Sequence, residues 1–250
     1  MKNIAVVILA AGKGTRLGCT DIPKVMLDLK GTPLVGHSVK TIQSLGLSPK
    51  HIMLVVGYKK EKVQEYFGET VSYAHQVEQK GTAHAAYVGI SALPDDVTDV
   101  LVMGGDDSAF YTKESLESFI KNHKESNSIV SLLTAHVDTP QQLGRIVRRE
   151  NGEIEIIEKE YLTPEQKLID EISTGTFMFN RAWYQKIFPD MPQLRKLGEY
   201  GLPTALAMAR EQDKKYQIVC LKDGKEWFGV NTPEQLEEAK RRKGGKLPNC

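Results

Sequence analysis

Apolar positions fall into two alternating patterns along the first hundred residues. Ile4-Ala5-Val6-Val7-Ile8-Leu9-Ala10 is a continuous, β-branched run that ends at glycines, as a strand buried on both faces of a parallel sheet does. Ile52-Met53-Leu54-Val55-Val56 ends at Gly57, and Val100-Leu101-Val102-Met103 ends at Gly104-Gly105, in the same way. Between these runs the spacing turns helical. After Pro33, residues Leu34, Val35, Val39, Ile42 and Leu45 share one face, and Gly46 stops the helix. Lys59 to Phe67 reads as a short charged helix, and Gly81 to Leu93 as an Ala-rich one closed by Pro94. Strands and helices in alternation predict βαβ units wound on both sides of a sheet.

The second half changes character. Ser128 to Val137, Ile172 to Phe179 and Tyr216 to Leu221 read as further strands. Residues 144–149 and 153–158 alternate strictly on either side of Asn151-Gly152, the strongest short hairpin signal. Asn231-Thr232-Pro233-Glu234 is a capped helix start with proline just inside, and the helix runs to Lys243. The expected architecture is α/β: a three-layer α/β/α, doubly wound, mostly parallel but mixed sheet, Rossmann-like, with the β-hairpin as an insert over one edge. No linker or internal repeat divides residues 1–250, so a single domain is expected.

Charge narrows the partners. The 250 residues hold 33 Lys and Arg against 32 Asp and Glu, a formal charge of +1. Such a balance gives no general field for a nucleic-acid backbone or an anionic membrane, so an anionic ligand needs a local site. Cys19, Cys220 and Cys250 are far apart and form neither a disulfide framework nor a zinc motif. The N-terminal apolar run is too short for a leader or for a span of about 20 residues. The expectation is a cytoplasmic protein, a monomer or small homo-oligomer, with no nucleic-acid or membrane partner.

The densest chemical signal is Leu9-Ala10-Ala11-Gly12-Lys13-Gly14-Thr15-Arg16-Leu17, followed by Pro23-Lys24. A glycine turn leaving a buried strand can press backbone N–H groups against phosphates. Leu17 stands where both the dinucleotide fingerprint and the P-loop need glycine, so neither motif applies. What is left is a glycine turn with three cations, Lys13, Arg16 and Lys24, a combination suited to a triphosphate.

That string resembles the signature of the sugar-phosphate nucleotidyltransferases, and within them the uridylyltransferase domain of bacterial N-acetylglucosamine-1-phosphate uridylyltransferases. The likeness continues in order through Gln76-Val77-Glu78-Gln79-Lys80-Gly81-Thr82-Ala83-His84-Ala85, Gly104-Gly105-Asp106, Leu143-Gly144-Arg145-Ile146-Val147, Glu158-Lys159, Ser173-Thr174-Gly175, Gly198-Glu199-Tyr200 and Gly229-Val230-Asn231. It implies a nucleotidyltransferase fold with a nucleotide-binding half to about residue 110, a sugar-binding half over about 111–230 and a C-terminal helix over 231–243. It also implies a reaction: a sugar 1-phosphate oxygen attacks the α-phosphorus of a nucleoside triphosphate, and pyrophosphate leaves without a covalent enzyme intermediate. Such transfer runs on positioning and charge neutralisation.

By the same resemblance Arg16 and Lys24 are the catalytic cations, on the leaving phosphates and the α-phosphate. Leu9, Ala10, Ala11, Gly12, Gly14, Thr15, Gln76, Gly81 and Thr82 would hold the nucleotide, and Gly144, Glu158 and Ser173 the sugar. Asp106 and Asn231 would hold Mg2+. UTP and N-acetylglucosamine 1-phosphate are the favoured substrates; a sister transferase using another sugar 1-phosphate or phospho-alcohol with UTP, CTP or dTTP stays open, as does a non-catalytic nucleotide-sugar sensor. Three positions depart from the family pattern. Ser173 stands where Asn is usual before Thr-Gly. Asp107 is an acid where an apolar residue is usual, leaving a shared metal role open. Gly201-Leu202-Pro203-Thr204 replaces the usual Thr-Asp after the tyrosine. The bifunctional relatives carry a second, hexapeptide-repeat acetyltransferase domain that also makes trimers; with no such repeats here, the chain is expected to transfer nucleotide without acetylating. His84 is expected to serve packing, Trp227-Phe228 the core, and Lys240 to Lys243 a solvated helix end.

Overall fold

The computed structural model describes residues 3–18, 21–140, 143–150, 153–194 and 198–244. Its centre is one mixed sheet in the order β3-β2-β1-β4-β8-β5-β9, where β1 is Ile4–Ala10, β2 Ile52–Val56, β3 Ser72–His75, β4 Asp99–Gly104, β5 Val130–His136, β8 Glu171–Asn180 and β9 Tyr216–Cys220. The first four strands are mutually parallel, and β5 and β9 run parallel to each other. Strand β8 inserts antiparallel between β4 and β5 and is the one reversed strand along this path. The hairpin of β6 (Arg145–Arg148) and β7 (Ile154–Ile157) hangs from β8 through Arg145 opposite Ile172. Its expected Asn151-Gly152 turn lies outside the described residues.

The continuous apolar runs are explained by burial on both faces. Along β1, Ile4, Val6, Ile8 and Ala10 enter one core while Ala5 and Val7 enter the other, as a period-two chain must. The first core is closed by α1 (Leu34–Gln43), α2 (Lys60–Phe67) and α4 (Lys113–Ser126), through Val39, Val63 and Phe119 among others. The second is closed by α3 (Thr82–Ser91), α5 (Arg181–Ile187) and α6 (Pro203–Glu211), through Ala86, Tyr184 and Leu206. The expected three-layer, doubly wound sheet is therefore present.

The last helix, α7 (Pro233–Lys243), starts with a capping box: Thr232 Oγ1 accepts from Gln235 N, and the Gln235 side chain accepts from the Thr232 N–H. Its end is less solvated than expected. Arg242 lies over the Phe228 ring at 4.0 Å and Lys243 over Phe110 at 4.8 Å, and burial pushes the Lys243 ammonium below its usual range. The charged ends of these two residues lie over aromatic faces, a contact that the run of charge concealed. Among the described residues no helix is long and apolar enough to cross a membrane.

Candidate active site

The carboxyl ends of β1 and β4 meet where the chain's winding changes direction, the usual ligand edge of an α/β sheet. A cleft of about 570 Å³ opens there. Nearly all the candidate residues line it: Leu9, Ala11, Gly12, Gly14, Thr15 and Lys24; Gln76, Gly81 and Thr82; Asp106; Gly144, Glu158 and Ser173; and Asn231. Two do not. Ala10 turns its methyl into the core, where it is 1% exposed, because the strand alternation assigns it to that face. The Arg16 side chain lies outside what the structure describes. Of the other cations, Lys13 faces an adjoining recess with Tyr58, His75 and Val77 rather than the main cleft, so Lys24 is the described cation of the loop that faces it.

The glycine loop is built to bend. Gly14 has φ of 69°, a left-handed conformation open to glycine, and caps the short turn Thr15–Leu17. The loop is held from across the cleft by Gln79, whose Nε2 donates to the Ala11 carbonyl at 2.6 Å. Gln79 was not singled out by sequence, although it sits inside the matching string. Gln76 is 4% exposed; its amide donates to the Gly81 carbonyl at 3.2 Å and meets His84 Nδ1 at 3.1 Å. His84 thus does more than fill space: besides lying 6.0 Å from Phe188, it orients the Gln76 amide. Burial lowers the tendency of His84 to protonate, which suits a hydrogen-bonding ring.

Gly81 is fixed by a second loop. Tyr200 N donates to the Lys80 carbonyl at 2.8 Å, and Ala83 N donates to the Tyr200 carbonyl at 2.9 Å. Leu202 N donates to Thr82 Oγ1 at 3.1 Å, so the segment that departs from the family pattern still clasps the Gly81–Thr82 turn.

Opposite stand the hairpin residues. A Cβ added at Gly144 would lie 3.2 Å from the Ile157 carbonyl oxygen and 3.4 Å from Glu158 Oε2, so a larger residue there would crowd the carboxylate. Burial, reinforced by Glu160, raises the Glu158 carboxyl above the usual range. Ser173 Oγ lies 3.4 Å from Gly175 N, while Thr174 is pinned on both sides: its hydroxyl donates to the Leu133 carbonyl at 2.7 Å and its carbonyl accepts from Trp227 Nε1 at 3.0 Å. Trp227 is core, as expected, and also borders the cleft.

At the floor, Asp106 follows β4 and Asn231 precedes the α7 cap. The two are joined by a backbone bond, Val230 N to the Asp106 carbonyl at 3.1 Å, across 124 residues of chain. The Lys24 ammonium donates to Asp106 Oδ2 and, at 2.8 Å, to Asn231 Oδ1. A cation already sits between these two oxygens, which tests their fit for a metal directly. Mg2+ is bound through one or two carboxylates and keeps waters and substrate phosphates as its other ligands, so this sparse oxygen pair fits it. Among the described residues no group of three or more His, Cys, Asp or Glu forms a denser metal cage. Asp107 turns under the same floor, with Oδ1 buried and unpartnered. Burial first, then the Asp106 charge, pushes its carboxyl well above the usual range, with Lys24 opposing.

The profile of the nucleotidyl transferase family covers residues 5–244. The chain belongs to that family. It is 36% identical over 245 residues to the bifunctional protein GlmU of Symbiobacterium thermophilum, and 36% identical over 244 residues to that of Bacillus mycoides. Those alignments take in 97% and 96% of this chain but 51% of each relative, so the chain spans about half the length of the curated relatives it matches. In fold it is similar to a Bacillus anthracis protein assigned as a glucose-1-phosphate thymidylyltransferase, crystallised with a sucrose (TM-score 0.77, 20% identity, 99% of this chain and 98% of that one). It is also similar to HddC from Yersinia pseudotuberculosis complexed with GMP-PN (TM-score 0.72, 21% identity, 97% and 100%). The family assignment gives nucleotidyl transfer as the class of reaction.

Proposed function

We propose that this nucleotidyl transferase condenses UTP with a sugar 1-phosphate, N-acetylglucosamine 1-phosphate favoured, to give a UDP-sugar and pyrophosphate. The observation that carries the reading is one cleft lined by a buried amide beside a glycine backbone, a lysine between two oxygen donors, and a glycine–glutamate pair on the hairpin. The buried Gln76 amide and the Gly81–Thr82 backbone would read the donor and acceptor edge of uracil. Gly144 would offer its N–H to the sugar, and Glu158 would accept from a ring hydroxyl.

In the transfer, the sugar-phosphate oxygen forms a bond to the α-phosphorus as the bond to the bridging oxygen of pyrophosphate breaks. Lys24 would hold the α-phosphate oxygens and Arg16 the leaving phosphates, so the chain supplies charge and alignment and no nucleophile. Asp106 and Asn231 would hold Mg2+, which when bound neutralises phosphate charge. On this reading the nucleotide-binding half runs to about residue 110, the sugar-binding half over about 111–230, and Asn231, just before the α7 cap, is lent from the far end.

Pyrophosphate release from a panel of nucleoside triphosphates and sugar 1-phosphates tests the proposal. UTP with N-acetylglucosamine 1-phosphate and Mg2+ should turn over fastest; no turnover across the panel would sink the enzyme reading. Ser173 favours one alternative, another sugar 1-phosphate, because its hydroxyl is shorter and carries no amide pair for an acetamido sugar. The same panel decides it.

A further inference from the structure

Lys24 is needed at the substrate phosphates, yet its ammonium is committed elsewhere. It donates to Asp106 Oδ2 and Asn231 Oδ1, the two oxygens assigned above to the divalent cation. Its side chain is 12% exposed, so the contact is enclosed rather than a chance surface pairing. A magnesium ion sits about 2.1 Å from its ligand oxygens, and an ammonium cannot share that position. The two cations therefore exclude each other at this pair.

The surroundings decide when Lys24 can leave. Asp107 lies beside the pair with a buried, unpartnered oxygen, and the ammonium is the cation that faces Asp106 there. Withdrawing the ammonium alone would leave the Asp106 carboxylate without a counter-charge in a cleft that partly excludes water. Withdrawing it in exchange for a divalent cation leaves the oxygens better compensated than before. The backbone does not have to move. Lys24 opens a short turn held by Met26 N to the Pro23 carbonyl at 2.9 Å, and the flexible four-carbon stem can carry the charge from one partner to the next.

We propose that Lys24 and the divalent cation occupy the same place in turn: the ammonium holds Asp106 and Asn231 together until the cation arrives, and the cation releases Lys24 toward the substrate phosphates. This rests on the assignment of Asp106 and Asn231 as metal donors. It makes the catalytic lysine conditional on the metal. A nucleotide arriving without a cation meets a lysine already paired, so the charges that activate the α-phosphorus assemble in one order.

Two measurements test the exchange without any substrate. The first is Mn2+ binding to the full chain, followed by the electron paramagnetic resonance of free Mn2+. Lys24→Ala should bind Mn2+ about 10-fold tighter than wild type or more, since the competing charge is gone, and Lys24→Ala/Asp106→Ala should lose that site. The second keeps the wild-type protein: acetylation of Lys24 by a water-soluble acetylating reagent, read by mass spectrometry against the exposed Lys121. Mg2+ should raise Lys24 labelling several-fold relative to Lys121. Equal, weaker or undetectable Mn2+ binding in Lys24→Ala, or Lys24 labelling indifferent to saturating Mg2+, would overturn the exchange. Both expected results with no transfer on any substrate pair would uphold the exchange while refuting the proposed reaction.

Discussion

Substituting Gly81 by alanine tests how the nucleotide side of the cleft is built. The residue adopts φ 100° and ψ 178°, a region held almost solely by glycine, and forcing another residue into it costs about 1–3 kcal/mol. An added Cβ would also lie 2.5 Å from the Tyr200 carbonyl oxygen, 2.8 Å from Tyr200 N and 2.9 Å from Glu199 Cβ. Two of those contacts are backbone and cannot swing aside, so the clasping loop must retreat. Retreat strains or breaks the bonds from Tyr200 N to Lys80 and from Ala83 N to Tyr200, each worth about 0.5–1.5 kcal/mol net. The combined loss is about 2–6 kcal/mol, a fall in Tm of about 4–24 °C for a chain of this size. Denaturant and thermal unfolding read the stability, and KM for the nucleotide reads the displaced Gly81 and Thr82 backbone, which should bind several-fold more weakly. Gly12→Ala is the internal control for stability, since a Cβ there meets nothing within 4 Å. If Gly81→Ala unfolds within about 0.5 kcal/mol of wild type and leaves nucleotide KM unchanged, the clasp does not hold the site as argued.

Other expectations follow from single residues. Lys24→Ala should lower kcat about 10²-fold or more, as loss of one transition-state charge contact does; a wild-type rate would remove Lys24 from the chemistry. Ser173→Asn should shift preference among sugar 1-phosphates more than it changes nucleotide KM, and equal effects would take Ser173 out of the sugar pocket. Removing divalent cations with a chelator, or replacing Asp106 by Ala, should abolish turnover, and added Mg2+ should restore only the wild type. The raised Glu158 carboxyl binds a proton more tightly in the folded protein than in the unfolded chain. Stability from this group is therefore present below the unfolded pKa of about 4.5 and lost as pH rises through the higher folded value. Glu158→Gln should flatten that fall in denaturation measurements from about pH 4 to pH 7, whereas an identical slope would refute the raised carboxyl.

The strands at the centre were readable because burial on both faces leaves an unbroken apolar run; β1, β2 and β4 appear in the sequence at the residues where they form. Strand β3, Ser72-Tyr73-Ala74-His75, escaped notice because an edge strand of four residues carries little apolar pattern. The reversed β8 was visible as a strand but not as the piece inserted between β4 and β5, since its partners lie some 40 to 80 residues away and nothing local encodes the choice. Helix α5 is seven residues long and rests on one capping bond, Asn180 Oδ1 accepting from Trp183 N, so its periodicity is too short to detect.

At the site the same division holds. Gln76, Gly81, Gly144 and Asp106 lie in compact strings and could be picked out one by one. The Lys24 contact to Asn231 spans 207 residues, and the bond from Val230 N to the Asp106 carbonyl helps to hold Asn231 beside it. Ala10 shows the opposite failure. It belongs to a legible motif, yet strand alternation sends its side chain into the core.

The central claim, uridylyl transfer to a sugar 1-phosphate without a covalent intermediate, is tested most directly by following label from UTP. With N-acetylglucosamine 1-phosphate and Mg2+, label in the α-phosphate should appear in a UDP-sugar identified by mass, and label in the γ-phosphate should appear in pyrophosphate, with none left on the protein. Label from the α-phosphate retained on the chain, or pyrophosphate formed without any nucleotide sugar, would contradict the account.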